Sequence, residues 1–460
     1  MKPGIWVAFW VVMFLCAGLS YGCSEETESS IQDIVSKDGA DTSRIDDSVV
    51  SDVATEVATE IATDETGELK EVVPEVTEPG CLAPISSRVV DNIPDDTFDL
   101  GPYLMVPTPT SIVIKWRTLE EEEGAVLFGT ESTDEFEIPE GKTSLIHAVL
   151  LEGLVPDTRY VYQVRSGERT SLEHHFYTAP NPGGSFQFAA WGDNQGGAPF
   201  FDVVEAVIAD NPHVIVGLGD HVPNGQVVEH WKEHWFEPAR ALFHEVPLFA
   251  AIGNHAYNGP TWYDLMEYQK LSVNPNEETV YSWTYGNTFF LVVDTNGLFF
   301  DVGDIETDWS KWIKKELDSP EAKAATWRIA YGHEPGADEE SWATECGGVI
   351  NTGIRLWLLP LLEEHDFHLY MAGHVHLYER TMVGNILHVI GGGGGGGLEE
   401  CETESPVSTV FVRHFFLRGL VGCDSLRLEA VGLDGDVFDW VELQAGEPGN
   451  IVDQGPTPTR

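Results

Sequence analysis

Between residues 186 and 376, six apolar runs each stop abruptly on polar residues: "FQFAAWGDNQ", "HVIVGLGDH", "PLFAAIGNH", "TFFLVVDTN", "WRIAYGHEP" and "FHLYMAGHVH". Apolar residues at successive positions mark strands buried on both faces, so these runs predict interior strands of a layered α/β fold with helices between several of them. In such folds the usable crevice lies beyond the carboxyl ends of the strands. Those ends carry Asp193, Asp220, Asn254, His255, Asp294, His333, His374 and His376. From about residue 100 to 180 the pattern is different. Short alternating runs such as "SIVIKWRT", "GAVLFGT", "RYVYQVRSG" and "HHFYTA", separated by turn residues, predict a small antiparallel β-sandwich. "APNPGG" marks the boundary between the two textures. Within the second, "VVEHWKEHWFEPARALF" reads as an amphipathic helix that buries Trp231, Trp235 and Phe236. The H-x-x-E-H spacing of His230 to His234 also fits an inverted zinc protease helix, but no third ligand accompanies it.

The N-terminus reads as a secretory signal: Lys2, an apolar run, then small residues before Cys23. Gly22-Cys23 fits a bacterial lipoprotein cleavage site, which predicts a periplasmic or cell-surface lipoprotein held to the membrane by that lipid alone; plain secretion and a retained membrane helix are the alternatives. Residues 24 to 80 hold 17 acidic and 3 basic side chains, no aromatic residue and the tandem "VATEVATEIATD". Such a segment buries too little apolar surface to fold and reads as a solvated tether. The whole chain carries a net charge of -51, and removing the signal and tether still leaves 59 acidic and 21 basic residues. That excess excludes a nucleic-acid surface, and an anionic substrate would need a strongly cationic attractor absent from the sequence.

Four cysteines follow Cys23: Cys81, Cys346, Cys401 and Cys423. In an exported chain an even number predicts two disulfides, with three pairings that spacing does not resolve. A Cys346–Cys401 bond would tie the loop "SWATECGG", with Trp342 at a site entrance, to the glycine run Gly391–Gly397. That run lacks the Lys-Ser/Thr ending and following helix of a nucleotide P-loop. It follows the strand "NILHVI" and is expected to pass beside the site, where side chains would collide. Three or four glycines would serve, and the extra ones are read as a mobile rim.

Asp, Asn and His donors suit Fe, Zn or Mn, and donors on separate rigid strands can hold two cations close together with one carboxylate shared. These residues resemble the calcineurin-like metallophosphoesterases, in particular their purple acid phosphatase branch. The resemblance rests on Gly192-Asp193, Gly219-Asp220, "GNH" at Gly253–His255, His333 in "YGHEP", and "GHVHLYER" at Gly373–Arg380. The preceding sandwich matches that branch too, and "LEGLVPDTRYVYQV" resembles the fibronectin type III pattern, with Leu154 and Tyr160 packing a corner. The resemblance implies that Asp193, Asp220 and His376 hold a first metal and Asp220, Asn254, His333 and His374 a second, most readily iron with zinc or manganese. It implies His255 as the residue that meets the phosphate and assists the leaving oxygen.

The departures from that pattern matter. Where the family places an iron-ligating tyrosine, this chain has Pro223; where related enzymes use a histidine, it has Gln195; and the acidic residue that often follows "GNH" is Ala256. The first metal site is therefore expected to bind loosely, to recruit Gln195, His221 or Asn224 as weak or substitute ligands, or to stay empty. Loss of the acidic residue removes an expected orienting partner for His255. The expected organisation is a signal at 1–23, a tether at 24–80, a fibronectin III-like sandwich at 81–182, a metallophosphoesterase domain at 183–445 and a tail at 446–460. The expected function is hydrolysis of small phosphate esters by water activated between two metals. A phosphodiesterase and a non-catalytic metal-binding relative are the alternatives.

Overall fold

The computed structural model describes residues 88–268, 279–296, 307–336, 351–399, 408–446 and 448–455. The signal, Cys23, the tether, Cys81, Trp342, Cys346 and Cys401 lie outside the described residues, and with them the Cys346–Cys401 pairing. No helix among the described residues is long and apolar enough to cross a membrane.

All six apolar runs form strands. Phe186–Trp191, Val214–Gly217 and Leu248–Ala250 pair in parallel, as do Thr288–Val292, Trp327–Tyr331, Leu369–Ala372 and Ile386–Gly391. The two parallel groups lie in different sheets. Aromatic side chains join those sheets: Trp283 stacks on Phe249 and on Phe290, both at 3.9 Å between centroids, and Phe188 meets Phe290 edge-on. Helix Phe200–Asp210 buries Phe200, Val203, Val204, Val207 and Ile208, an i, i+3, i+4 stripe that seats it against the sheet.

The sandwich has its own core, in which Trp116, Tyr162 and Phe176 are fully buried. Tyr160 closes its corner by accepting a hydrogen bond on its hydroxyl from the Val155 N–H at 3.0 Å, beside buried Leu154. Its first strand, Leu100–Met105, also pairs in parallel with Leu248–Ala250 through Met105 and Leu248. The sandwich strands and the first parallel group thus belong to one 13-stranded sheet. This pairing covers an edge of the central sheet that would otherwise expose unpaired backbone. At the opposite end, Ile451–Gly455 pairs with Val437–Gln444, so residues expected to be a tail extend the sheet.

The motif "GHVHLYER" carries packing as well as chemistry. Tyr378 and Arg380 both donate to the fully buried Asp439 of the other sheet, at 2.6 Å through the hydroxyl and 2.7 Å through Nε. A buried carboxylate needs such charge-assisted partners, and here they lock one sheet to the other.

Candidate metal centre

Each turn that delivers a site residue follows a strand end. Asp193, Asp220 and His374 take left-handed backbone conformations, with φ of 61°, 51° and 72°. Such residues cost of order 1–3 kcal/mol each and persist where the surrounding structure imposes them. The turns are packed against one another: a Cβ on Gly253 would collide with the Asp220 carboxylate, so "GNH" admits only glycine at its first position.

The side chains converge closely. His333 Nε2 lies 2.9 Å from Asn254 Oδ1 and 3.2 Å from Asp220 Oδ2, while His374 Nδ1 lies 3.1 Å from Asn254 Oδ1 and 3.2 Å from His333 Nε2. Donor-to-donor edges of about 3 Å are those of a coordination shell with bonds near 2.1 Å. His333 Nδ1–H donates to the Leu218 carbonyl at 2.9 Å, which leaves Nε2 to face the centre. Asp193 uses Oδ2 to accept the His374 N–H at 2.7 Å, and its Oδ1, fully buried, has no hydrogen-bond partner. A carboxylate oxygen with no hydrogen bond is costly to bury unless a cation, a metal or a neighbouring imidazolium, sits against it. It points toward His376 Nε2 at 3.5 Å, and His376 Nδ1 is held by the Gly397 carbonyl at 2.5 Å. Asp220 lies between the two groups: Oδ1 accepts the His255 N–H at 2.8 Å, and Oδ2 accepts from Gln195 Nε2 at 3.0 Å. The residues therefore fit a pair of cations, with Asp220 shared, three histidines supplying nitrogen and Asn254 a neutral oxygen.

Without metal the charges reorganise around protons. Burial pushes the Asp220 carboxyl up, but the His333 charge and hydrogen bond and the His255 N–H outweigh this and hold it well below the usual carboxylate range. Burial pushes His333 down, yet Asp220 and Asp193 carry it up to about 10. His376 follows the same logic, lowered by burial but raised to about 9 by Asp193. His374 goes the other way, lowered to about 4 by burial and by the neighbouring His333 charge.

Several expectations need correction. His221 is turned into the core: its Nε2 lies 3.3 Å from the Ala251 carbonyl and its ring 4.2 Å from that of Trp235, so as placed it is no substitute ligand. Gln195 does reach the centre, but through its amide nitrogen, to Asp220. The orienting partner missing at Ala256 is supplied by Pro223, whose carbonyl accepts from His255 Nδ1 at 2.8 Å. Sequence gave no signal for this, because the donor's partner is a backbone atom. Asp294 and Glu334 act as braces: Asp294 Oδ2 accepts from Asn258 Nδ2 at 2.7 Å, and Glu334 Oε2 from Asn351 Nδ2 at 2.7 Å. The "HWKEH" histidines flank buried Trp231, and the His234 ring packs on Gly196 in the loop after Asp193.

The glycine run is no mobile rim. Gly391–Gly396 are buried, and the run forms hydrogen bonds from Gly394 N to Gly192 O at 2.9 Å and from Gly396 N to Asp193 O at 2.7 Å. A Cβ on Gly394 would strike the Gly192 carbonyl, and one on Gly396 would come within 2.6 Å of the Asp193 carbonyl. The loop is a backbone splint beneath Asp193 and His376: a Cβ at each of Gly392 to Gly396 would meet neighbouring backbone or a buried ring, whereas one on Gly397 would meet nothing. Gly394→Ala should therefore lower stability by roughly 1–3 kcal/mol, in the range of overpacked interiors. Thermal unfolding of the metal-free variant checks this, and an unchanged midpoint would contradict it.

Comparison with known proteins agrees with this geometry. Residues 101–178 match the purple acid phosphatase N-terminal domain and residues 186–378 the calcineurin-like phosphoesterase family. Purple acid phosphatase 23 of Arabidopsis thaliana is 24% identical over 278 residues, covering 52% of this chain and 58% of that protein. A nucleotide pyrophosphatase/phosphodiesterase of Hordeum vulgare is 27% identical over 184 residues, covering 37% of this chain and 50% of that one. The chain thus spans little more than half the length of these relatives. Among solved structures, a purple acid phosphatase from yellow lupin (Lupinus luteus) seeds superposes with a TM-score of 0.66 at 20% identity, over 80% of this chain and 77% of that one, which shows a shared fold. These two adjoining domain matches, on a fold shared with the lupin phosphatase, support a purple acid phosphatase-like metallophosphoesterase.

Proposed function

We propose that the protein is an exported, metal-dependent hydrolase of small phosphate monoesters. The observation that carries this reading is the orphaned, buried Asp193 Oδ1 among convergent donors at the carboxyl ends of parallel strands. Export is supported by the signal pattern ending at Cys23. Bound at this centre, two cations of the iron, zinc or manganese class supply Lewis-acid charge to phosphoryl oxygens and acidify a water.

The chain's own residues provide the rest. The Pro223 carbonyl fixes the His255 ring, whose Nε2 then lies 3.7 Å from Asp220 Oδ2, on a side chain 35% exposed at the mouth of the centre. From there it can hand a proton to a departing alkoxide or phenoxide. Positioned proton transfer of this kind contributes about 10²–10⁴-fold. His255→Gln keeps much of the side chain's size but cannot deliver that proton, so kcat for an alkyl phosphate should fall by about 100-fold or more. With an aryl ester, whose leaving group needs little protonation, the fall should be smaller. Equal losses on both would argue that His255 only binds phosphate.

A non-catalytic reading is favoured by one observation: with Pro223 and Gln195 in place, the first metal has, among the described residues, only Asp193, Asp220 and His376 as strong protein ligands. Hydrolysis of 4-nitrophenyl phosphate and of its bis-ester, with and without chelator and with added Fe, Mn or Zn, separates the readings. Metal-restored turnover of the monoester supports the proposal. Faster turnover of the bis-ester would make it a phosphodiesterase, and one tightly bound metal with no turnover would leave only the binding role.

A further inference from the structure

We propose that Asp91, His175 and Glu245 form a separate site for one divalent cation of the zinc or manganese class, sharing no residue with the centre above. The three side chains each present a ligand atom within 4.8 Å of the others. His175 Nδ1 lies 3.0 Å from Glu245 Oε1 and 3.5 Å from Asp91 Oδ2.

The other polar side-chain atoms of His175 and Glu245 are already committed. His175 Nε2–H donates to the Val89 carbonyl at 3.0 Å, which directs the Nδ1 lone pair at the two carboxylates. Glu245 Oε2 accepts the Asp91 N–H at 2.6 Å, which leaves Oε1 to face Nδ1. An imidazole whose far nitrogen donates to a carbonyl while its near nitrogen faces carboxylates is the arrangement that metal-binding histidines adopt. His175 and Glu245 are 4% exposed, so the ligands are desolvated, whereas Asp91 at 48% leaves an entry path and room for water to complete the shell. One nitrogen and two carboxylate oxygens suit Zn²⁺ or Mn²⁺ better than Ca²⁺, which takes oxygen almost exclusively.

The ligands come from the segment before the first strand, from sandwich strand His174–Tyr177, and from helix Arg240–Glu245 of the metallophosphoesterase domain. A cation here would latch residues 89–91 to both. The same segment is pinned nearby by Val90 N to Asn211 Oδ1 at 2.9 Å and by Arg88 Nη1 to Tyr285 Oη at 3.1 Å. The competing arrangement is a doubly protonated His175 bridging the carboxylates, which needs no metal.

Zinc per chain, measured after equilibration and removal of free ion, distinguishes the two. Full-length Asp91→Asn and His175→Gln should each bind one equivalent fewer than the native chain while hydrolysing aryl phosphate at the native rate. In an Asp220→Ala background, added zinc should still raise the midpoint of thermal unfolding, and Asp91→Asn should remove that rise. Asp91 is half exposed, and Asn preserves its shape, so misfolding of this variant is not the expected outcome; matching melts in chelator check it. Equal zinc content in the native chain and both variants, or a zinc-induced rise that survives Asp91→Asn, would overturn the site.

Discussion

Asp220→Ala is expected to lower hydrolysis of an aryl phosphate by at least about 1,000-fold and to leave the chain folded. The size follows from how much one carboxylate does. Oδ2 lies 3.2 Å from His333 Nε2 and accepts from Gln195, while Oδ1 accepts the His255 N–H, so both metal positions and the proton donor converge on it. Losing a charge aimed at the reacting centre typically costs 10²–10³-fold, and here the geometry of a second metal is lost with it. Folding should survive because the strands leading to the site are held by Trp283, Phe249 and Phe290, not by the centre. Asp220→Asn keeps the shape and removes the charge; it should lose metal and activity nearly as completely. The decisive measurement is kcat/KM alongside metal content. Activity above a tenth of native in either variant would show that Asp220 is not shared between two metals.

The strands and their polar ends were legible because a doubly buried strand has no freedom to alternate: "VIVG" and "LYMA" are apolar at each position and are buried throughout. Ligand types were legible for a related reason, since few residues other than Asp, Asn and His can terminate such a strand and still bind a hard cation. What stayed hidden depends on backbone atoms or on long sequence separations. The Pro223 carbonyl that orients His255 has no side-chain signature, so the loss of an acid at Ala256 looked more damaging than the structure shows. His221 carries the right chemistry beside Asp220, but one residue further along, its ring is carried into the aromatic core against Trp235. Asp439, partner of Tyr378 and Arg380, lies 59 and more residues away from them, and nothing in "FDWVEL" marks it. The need for glycine at 394 and 396 stayed hidden because the carbonyls of Gly192 and Asp193 that they pack against lie at a strand end just over 200 residues earlier.

Uptake of each metal by the stripped protein should tighten by up to about 10-fold per pH unit between about pH 6 and 9, and loading of the pair by up to about 100-fold. Below their raised values of about 10 and about 9, His333 and His376 each carry a proton that a cation must displace. His374, lowered to about 4, already offers a free lone pair over this range and adds nothing to the slope. One displaced proton per metal gives a slope of one in the logarithm of each affinity, and of two for loading the pair. The sign for folding runs opposite to the sign for binding. Both histidines have folded values above the ordinary 6.5, so the stability they give the metal-free chain is complete below about pH 6.5 and is lost as pH rises through about 9 to 10. Stripped protein should thus be helped by protons in mild acid and by metal in mild base, with the same two carboxylates, Asp193 and Asp220, serving either cation. An acid optimum of the kind the family name implies would then demand a metal that competes better with protons than zinc or manganese does, and Pro223 has removed the tyrosinate that would hold such an ion. Activity reconstituted with zinc or manganese should accordingly rise from acid toward neutral pH. Zinc titrations of stripped protein against a competing chelator at several pH values, with the released protons counted, test the slope; a release below one proton per chain would refute the assignment of His333 and His376 as ligands.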